Sequence, residues 1–150
     1  MPFAVRAFAS GLFTGYVPVA SGTVGSLLGL LLYALPGAED PWILLGVAFV
    51  VFIFGVRASS LMERALGHDP RQVTVDEIVG MWVSLLFLPK SWTVAIAAFF
   101  LFRLLDIAKP FPARRFDRLS GGLGIMLVDV VAGLYTNLVL QVLMRVIHLP

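Results

Sequence analysis

Five apolar stretches, set apart by short polar connections, constrain this chain more than any other feature; they run roughly over Val24–Leu35, Trp42–Val56, Ile78–Leu88, Trp92–Leu105 and Leu123–Ile147. A helix needs about 20 residues to cross a bilayer, with a range of roughly 17–25. The second, fourth and fifth stretches reach that with their flanks. The first (24–35) and third (78–88) are short, and would be extended by small residues, tilted, or broken and half-buried in a bundle. With 59% hydrophobic and 13% charged residues among 150, the chain carries more apolar surface than a water-soluble fold of its size can hide. Lipid is the solvent that accepts the excess. The expected fold class is therefore all-α: a polytopic membrane helical bundle of four to five membrane helices, five preferred, forming one domain over residues 1–150.

The connections set the orientation. Pro36–Pro41 is a short acidic turn and Pro89-Lys90-Ser91 a tight one, whereas Arg57–Val75 and Asp106–Gly122 are longer and polar. With the N-terminus inside, the inner segments hold Arg6, Arg57, Arg64, Arg71, Arg103, Lys109, Arg114, Arg115 and Arg118, which is 9 of the 11 basic residues. By the positive-inside rule the N-terminus is cytoplasmic, and with five helices the C-terminus is outside. The N-terminal segment carries Arg6 but is interrupted by Gly11, Gly15, Pro18 and Gly22, so no cleaved signal peptide is expected. A net charge of +2 without a long basic run gives no footing to a nucleic-acid partner. The absence of cysteine excludes a disulfide framework, a Cys-ligated metal and a cysteine nucleophile.

In this topology Glu63, Asp69, Asp76, Glu77, Asp106, Asp117 and Asp129 gather at the cytoplasmic face, together with Thr23 and Ser26. Carboxylates, basic residues and Gly-rich turns on one membrane face suit a metal and a phosphate. Asp76 and Glu77 open an apolar helix. They serve either as N-terminal helix charges or as a hard-cation site, since Mg²⁺ takes one or two carboxylates plus water and substrate phosphate. Arg103 and Asp106 share a helix face at i,i+3, as an ion pair or as part of a phosphate site. Lys109, Arg114, Arg115 and Arg118 follow, suited to anionic headgroups or to topology marking alone. Asp129 stands inside the apolar run Ile125–Leu140, where an ionisable group is costly and by default functional. Val-Asp-x-x-x-Gly occurs at Val75–Gly80 and again at Val128–Gly133, a recurrence that chance explains as readily as an internal repeat. Ser21-Gly22-Thr23-Val24-Gly25-Ser26 reads as a turn into a helix, with Ser21 or Thr23 as N-cap and Gly25-x-x-x-Gly29 as a packing face, or as hydroxyls and amides holding phosphate. It is not a P-loop, because the Gly-Lys-Ser/Thr ending is missing. His68 reads as a loop residue and His148 as an interface residue, neither as a ligand.

Three blocks carry a family resemblance: Ser21–Ser26, Val75–Trp82, and the long stretch from Phe102-Arg103-Leu104-Leu105-Asp106-Ile107-Ala108-Lys109-Pro110-Phe111-Pro112 through Arg115-Phe116-Asp117-Arg118 to Gly121-Gly122-Leu123-Gly124-Ile125-Met126. In these the chain resembles the bacterial phosphatidylglycerophosphatase A family over nearly its whole length. The resemblance implies a mostly helical, Mg²⁺-dependent enzyme of the inner membrane that converts phosphatidylglycerophosphate to phosphatidylglycerol and phosphate. Carried over by position, Asp76, Glu77, Arg103, Asp106, Lys109, Asp117 and Asp129 match the family's polar signature. Val128 departs from it, standing where the family usually has the first of two consecutive acids.

The resulting expectation is that Asp76, Glu77, Asp106 and Asp129 hold Mg²⁺ and are catalytic. Thr23, Ser26, Arg103, Lys109, Arg115 and Arg118 would bind the substrate phosphate, and the acyl chains would stay in the membrane lipid. Attack by water and an aspartyl-phosphate intermediate both remain open. Three other functions stand beside this one: an ion-binding membrane protein, a non-catalytic membrane protein, and a phosphatase of another lipid phosphate.

Overall fold

The computed structural model describes residues 1–147, and those residues form helices and turns with no strand among them. His148 lies outside the described residues. The helices are α1 (Phe3–Ala9), α2 (Ser21–Tyr33), α3 (Pro41–Leu66), α4 (Val75–Leu85), α5 (Trp92–Ala108), α6 (Ala113–Asp117) and α7 (Gly122–Ile147), with one 3₁₀ turn at Thr14–Tyr16.

Helix lengths differ from the apolar stretches for local reasons. α3 continues past Val56 to Leu66, so half of the expected polar connection is helical. Nothing breaks it before Gly67, and Ala58, Ser59 and Met62 keep one face buried. Asp40 caps its start, its Oδ1 accepting from the N–H groups of Trp42 at 2.9 Å and Ile43 at 3.3 Å, with Pro41 in the first turn. α2 begins without a side-chain cap: Ala20 precedes it in the left-handed region at φ 51°, and neither Ser21 nor Thr23 caps it.

α3 and α7, at 26 residues each, are long and apolar enough to cross a membrane. At about 1.5 Å per residue, the 11 residues of α4 and the 13 of α2 span only about 16 and 20 Å, less than a hydrocarbon core of about 30 Å. The outward faces are apolar: Phe49, Ile53 and Phe54 on α3, Ile96, Phe100 and Leu104 on α5, and Leu134, Leu138 and Val142 on α7 are all exposed. An exposed apolar belt of this extent marks a lipid-facing surface, and the chain is membrane-associated.

α4 is the centre of the bundle, packed by α2, α3, α5 and α7. Ten of its eleven residues are buried, which its apolar composition on all sides requires. Small residues let its neighbours close in. Gly25 and Gly29 of α2 face Thr74 and Ile78, and a Cβ on Gly29 would lie 3.1 Å from Ile78 Cα. Trp82 Nε1 donates to Gly29 O at 2.9 Å across the same contact. On the other side, a Cβ on Gly133 of α7 would lie 2.5 Å from Gly80 O, and one on Gly80 would lie 2.8 Å from Asp129 O. The two Val-Asp-x-x-x-Gly segments therefore pack on each other, each glycine one turn beyond its aspartate. Buried hydroxyls bond within their own helices, Ser84 to Gly80 O at 2.9 Å and Thr136 to Ala132 O at 2.8 Å.

The turns at the two ends of the bundle differ in character. At one end, Lys90 Nζ reaches Leu35 O at 3.2 Å and Glu39 Oε2 at 3.4 Å, joining the α2–α3 turn to the α4–α5 turn. At the other lie the starts of α2, α4 and α7 and the ends of α3 and α5, and there the charged residues collect.

Candidate active site

Each helix that starts or stops at this end contributes a polar group. The first turn of α4 supplies Asp76 and Glu77, both buried, and Glu77 N–H donates to Asp76 Oδ1 at 2.9 Å. From the last two turns of α5, Arg103 Nη1 donates to both oxygens of Glu77 at 2.9 Å and to Asp106 Oδ2 at 2.6 Å. α7 brings Asp129, 3% exposed. α2 approaches most closely: a Cβ on Gly22 would collide with Glu77 Oε1, so only glycine leaves room for the carboxylate and guanidinium beneath it.

Oxygens of Glu77, Asp106 and Asp129 all lie within 4.8 Å of one another. Asp129 Oδ2 is buried and has no hydrogen-bond partner. A buried polar atom left alone is costly, and three carboxylates at this spacing repel. A divalent cation resolves both problems, so the residues fit a hard, oxygen-liganded ion such as Mg²⁺. Asp76 stands beside this trio, bonded to the backbone of Glu77.

These groups open into a cavity of about 270 Å³, lined also by Ser21, Asp69, Arg71, Lys109, Asp117 and Val128. That volume holds a headgroup rather than a whole lipid. Lys109 Nζ pairs with Asp117 Oδ1 at 2.9 Å. Burial alone would lower the Lys109 pKa, but Asp117, with Asp69 and Asp106, holds it above the ordinary value. Burial followed by the Asp117 charge raises Asp69. Lys109 (φ 49°) and Asp69 (φ 46°) both adopt left-handed backbone at the lip of the cavity, a costly conformation for residues with a Cβ that clusters at functional sites.

The remaining sequence candidates sit elsewhere. Ser26 is fully buried and lies under Glu77, its Oγ 3.0 Å from Glu77 Oε2 and 2.9 Å from Gly22 O with one hydroxyl proton shared between these acceptors, and it does not line the cavity. Thr23 is half-buried one residue beyond Gly22 and is not among the lining residues. Arg115 lies over the Phe111 ring at 5.0 Å. Arg118 lines a neighbouring depression with Lys109, Arg114 and Asp117. Asp69, gathered with the other acids at one membrane face but given no role in the site, and Arg71, read only as an inner basic residue, both line the cavity. His68 braces this region, with its ring nitrogens at 3.0 Å from Glu63 Oε1 and 3.1 Å from Asp117 O. Glu63 Oε2 in turn accepts from Gly121 N–H at 2.8 Å, tying the end of α3 to the start of α7.

The position of Ser26 yields a test. If its hydroxyl orients Glu77 rather than touching substrate, Ser26→Ala should lower kcat by about tenfold and leave KM within about twofold, as expected for one lost hydrogen bond to a charged group. A rise in KM with unchanged kcat would return Ser26 to the substrate.

Together these features define a membrane-associated helical protein with a buried carboxylate trio beneath a polar cavity at one end of the bundle. Comparison with known proteins narrows that class: residues 7–144 match the family model described as Phosphatidylglycerophosphatase A, and the chain belongs to this family, which makes it a lipid phosphatase. It is 39% identical over 129 residues to Phosphatidylglycerophosphatase A of Escherichia coli, covering 83% of this chain and 74% of that protein. It is 38% identical over 142 residues to the Haemophilus influenzae protein of the same name, covering 90% and 85%. A protein of Bacteroides thetaiotaomicron named Putative phosphatidylinositol-3-phosphatase is 37% identical over 142 residues, covering 89% of each chain. No solved structure matches the chain.

Proposed function

We propose that the chain hydrolyses the phosphate monoester of phosphatidylglycerophosphate, releasing phosphate and leaving phosphatidylglycerol, with Mg²⁺ held by Glu77, Asp106 and Asp129. One observation carries this reading: the cavity is lined by the acids Asp69, Asp76, Glu77, Asp106, Asp117 and Asp129 against the cations Arg71, Arg103 and Lys109. A phosphate dianion entering such a field alone is repelled, so the site suits phosphate only when divalent cations accompany it. When bound, Mg²⁺ supplies the positive charge that admits the phosphate and draws electron density from its oxygens.

The chain's own groups do the rest. Arg103 fixes the Glu77 and Asp106 carboxylates in one geometry and balances part of their charge. Asp76, outside the trio and reachable from the cavity, accepts the proton of the attacking water. The new oxygen–phosphorus bond forms as the bond to the glycerol oxygen breaks; that oxygen takes a proton from solvent water, and the proton held by Asp76 returns to solvent. Lys109 stands at the lip to offset the charge that develops on the transferred group. Arg115 and Arg118 lie outside the cavity and meet anionic lipid around it.

In this reading α2, α3, α4, α5 and α7 are the five membrane helices, α2 and α4 being short ones completed by their turns. The N-terminus and the cavity face the cytoplasm at the inner membrane, as the arginine and lysine bias requires. The name of the Bacteroides relative supports a second reading, in which the same site cleaves a 3-phosphate from an inositol lipid.

The deciding measurement is phosphate release in detergent micelles from phosphatidylglycerophosphate and from phosphatidylinositol 3-phosphate, with Mg²⁺ or EDTA. Release from the first lipid, abolished by EDTA, is the expected result. Preference for the inositol lipid would transfer the assignment, and EDTA-resistant release would remove the metal. Val128→Asp belongs in the same assay. Val128 packs with Ala113 and Val131 at the cavity wall while the trio forms without it, so the variant is expected to change kcat by less than about threefold, under 1 kcal/mol of barrier. A large gain would make position 128 part of the catalytic site.

A further inference from the structure

The three cations of the cavity are not equivalent. Arg103 is bound to Glu77 and Asp106, and Lys109 is bound to Asp117. Arg71 has no carboxylate within ion-pairing distance among the described residues. Its contacts are with the start of α2: Nη1 donates to Pro18 O at 3.4 Å, and its own carbonyl accepts from Ser21 Oγ at 3.0 Å. The backbone is anchored to Ser21, the residue is exposed, and among the described residues the guanidinium makes only the one long hydrogen bond to Pro18 O. It is thus the cavity's one uncompensated positive charge among the described residues.

The surroundings of Arg71 are those of a membrane surface. Val19, next to Pro18, is 75% exposed, and Leu12, Phe13 and Tyr16 are exposed in the preceding turns. Aromatic and aliphatic residues of this kind enter the headgroup layer, which puts the guanidinium at the depth of lipid phosphates. A guanidinium forks onto two phosphate oxygens, and it does so best where no carboxylate competes.

Resting on the reading of the site as a phosphatidylglycerophosphate phosphatase, we propose that Arg71 is a specificity-determining residue that binds the second, uncleaved phosphate of the substrate. The monoester phosphate goes to the metal-holding trio. The diester phosphate, one glycerol bridge away, goes to Arg71 at the rim. The product keeps that diester, so it keeps its contact with Arg71, whereas inorganic phosphate never makes it.

Kinetics on the full chain in neutral micelles with Mg²⁺ test this, using Arg71→Gln and Arg71→Lys. For Arg71→Gln, KM for phosphatidylglycerophosphate is expected to rise about tenfold with kcat held within about twofold, the loss of one charged hydrogen-bonding group. Inhibition by phosphatidylglycerol should weaken by about the same factor, while inhibition by inorganic phosphate stays at the wild-type level. Arg71→Lys should fall between the two, since a point charge replaces the fork. An unchanged KM, or a fall in kcat alone, overturns the inference and leaves the phosphatase reading standing. Equal weakening of inhibition by phosphatidylglycerol and by inorganic phosphate also overturns it. Absence of hydrolysis by the wild type overturns both.

Discussion

Asp129→Asn is expected to lower kcat/KM for phosphatidylglycerophosphate by about a thousandfold or more, roughly 4 kcal/mol of transition-state stabilisation, while raising the melting temperature of the metal-free protein. The two effects have one cause. Without an ion, Glu77, Asp106 and Asp129 bring like charges within 4.8 Å of each other, and Asp129 Oδ2 is buried with nothing to bond. An amide removes one charge and supplies a donor to its neighbours, which relieves the repulsion and fills the hydrogen-bond deficit. On the proposed metal site, the same change also takes away a ligand. In the wild type, Mg²⁺ should raise the melting temperature relative to EDTA, because an ion that binds only the folded chain stabilises it by mass action. In Asp129→Asn that metal-induced rise should shrink or disappear. Melting curves of both proteins in micelles, with EDTA and with Mg²⁺, separate the contributions. A variant that stays inactive yet keeps the full metal-induced rise would show that Asp129 acts on the substrate and not on the ion. A variant less stable than the wild type in EDTA would show that the trio is already neutralised by protons.

The groups that sequence could identify are those whose chemistry clashes with their surroundings. Asp129 in an apolar run, and Asp76-Glu77 opening an apolar helix, are expensive wherever they fold, and the structure brings both beside Asp106. Arg103 and Asp106 were close by helical spacing alone and do pair, at 2.6 Å. Groups whose positions depend on chain reversal were less legible. Asp69 and Arg71 could be placed on the charged face but not in the site, and only the return of the α3–α4 connection over the start of α2 makes them cavity walls. Arg115 and Arg118 share a dense basic segment with Lys109, but α6 turns them away, one onto Phe111 and the other into a neighbouring depression. Ser26 was legible as a polar residue near the site, and its contact with Glu77 is a tertiary fact that no local pattern carries. Helix ends followed the same logic: Gly67 stops α3 where no apolar count would, and the brevity of α4 reflects its burial on every side.

The recurrence of Val-Asp-x-x-x-Gly leads to the second large effect. Gly133→Ala is expected to destabilise the fold by about 3 kcal/mol, near the upper end for overpacking a tight contact, and to reduce activity with it. The added methyl would lie 2.5 Å from Gly80 O and 3.0 Å from Val83 Cβ, and the nearest obstacle is backbone, which no rotamer change can move. α4 and α7 must separate, and both carry site acids one turn from the crossing, Asp76 before Gly80 and Asp129 before Gly133. The control is Gly46→Ala in α3, where an added methyl meets nothing within 4 Å. There alanine should stabilise the helix by up to about 1 kcal/mol through its higher propensity. The two substitutions are chemically identical and both fall within long apolar helices, so lipid exposure and propensity alone would give them the same sign. Thermal unfolding of both variants in one detergent, read beside phosphate release, decides whether the glycine pair sets the spacing of the acids. Opposite signs, with activity lost only in Gly133→Ala, are the expected outcome. Equal melting temperatures and equal activities would mean that the crossing tolerates a methyl, and that the two aspartates are held by their ligands and partners rather than by the approach of their helices.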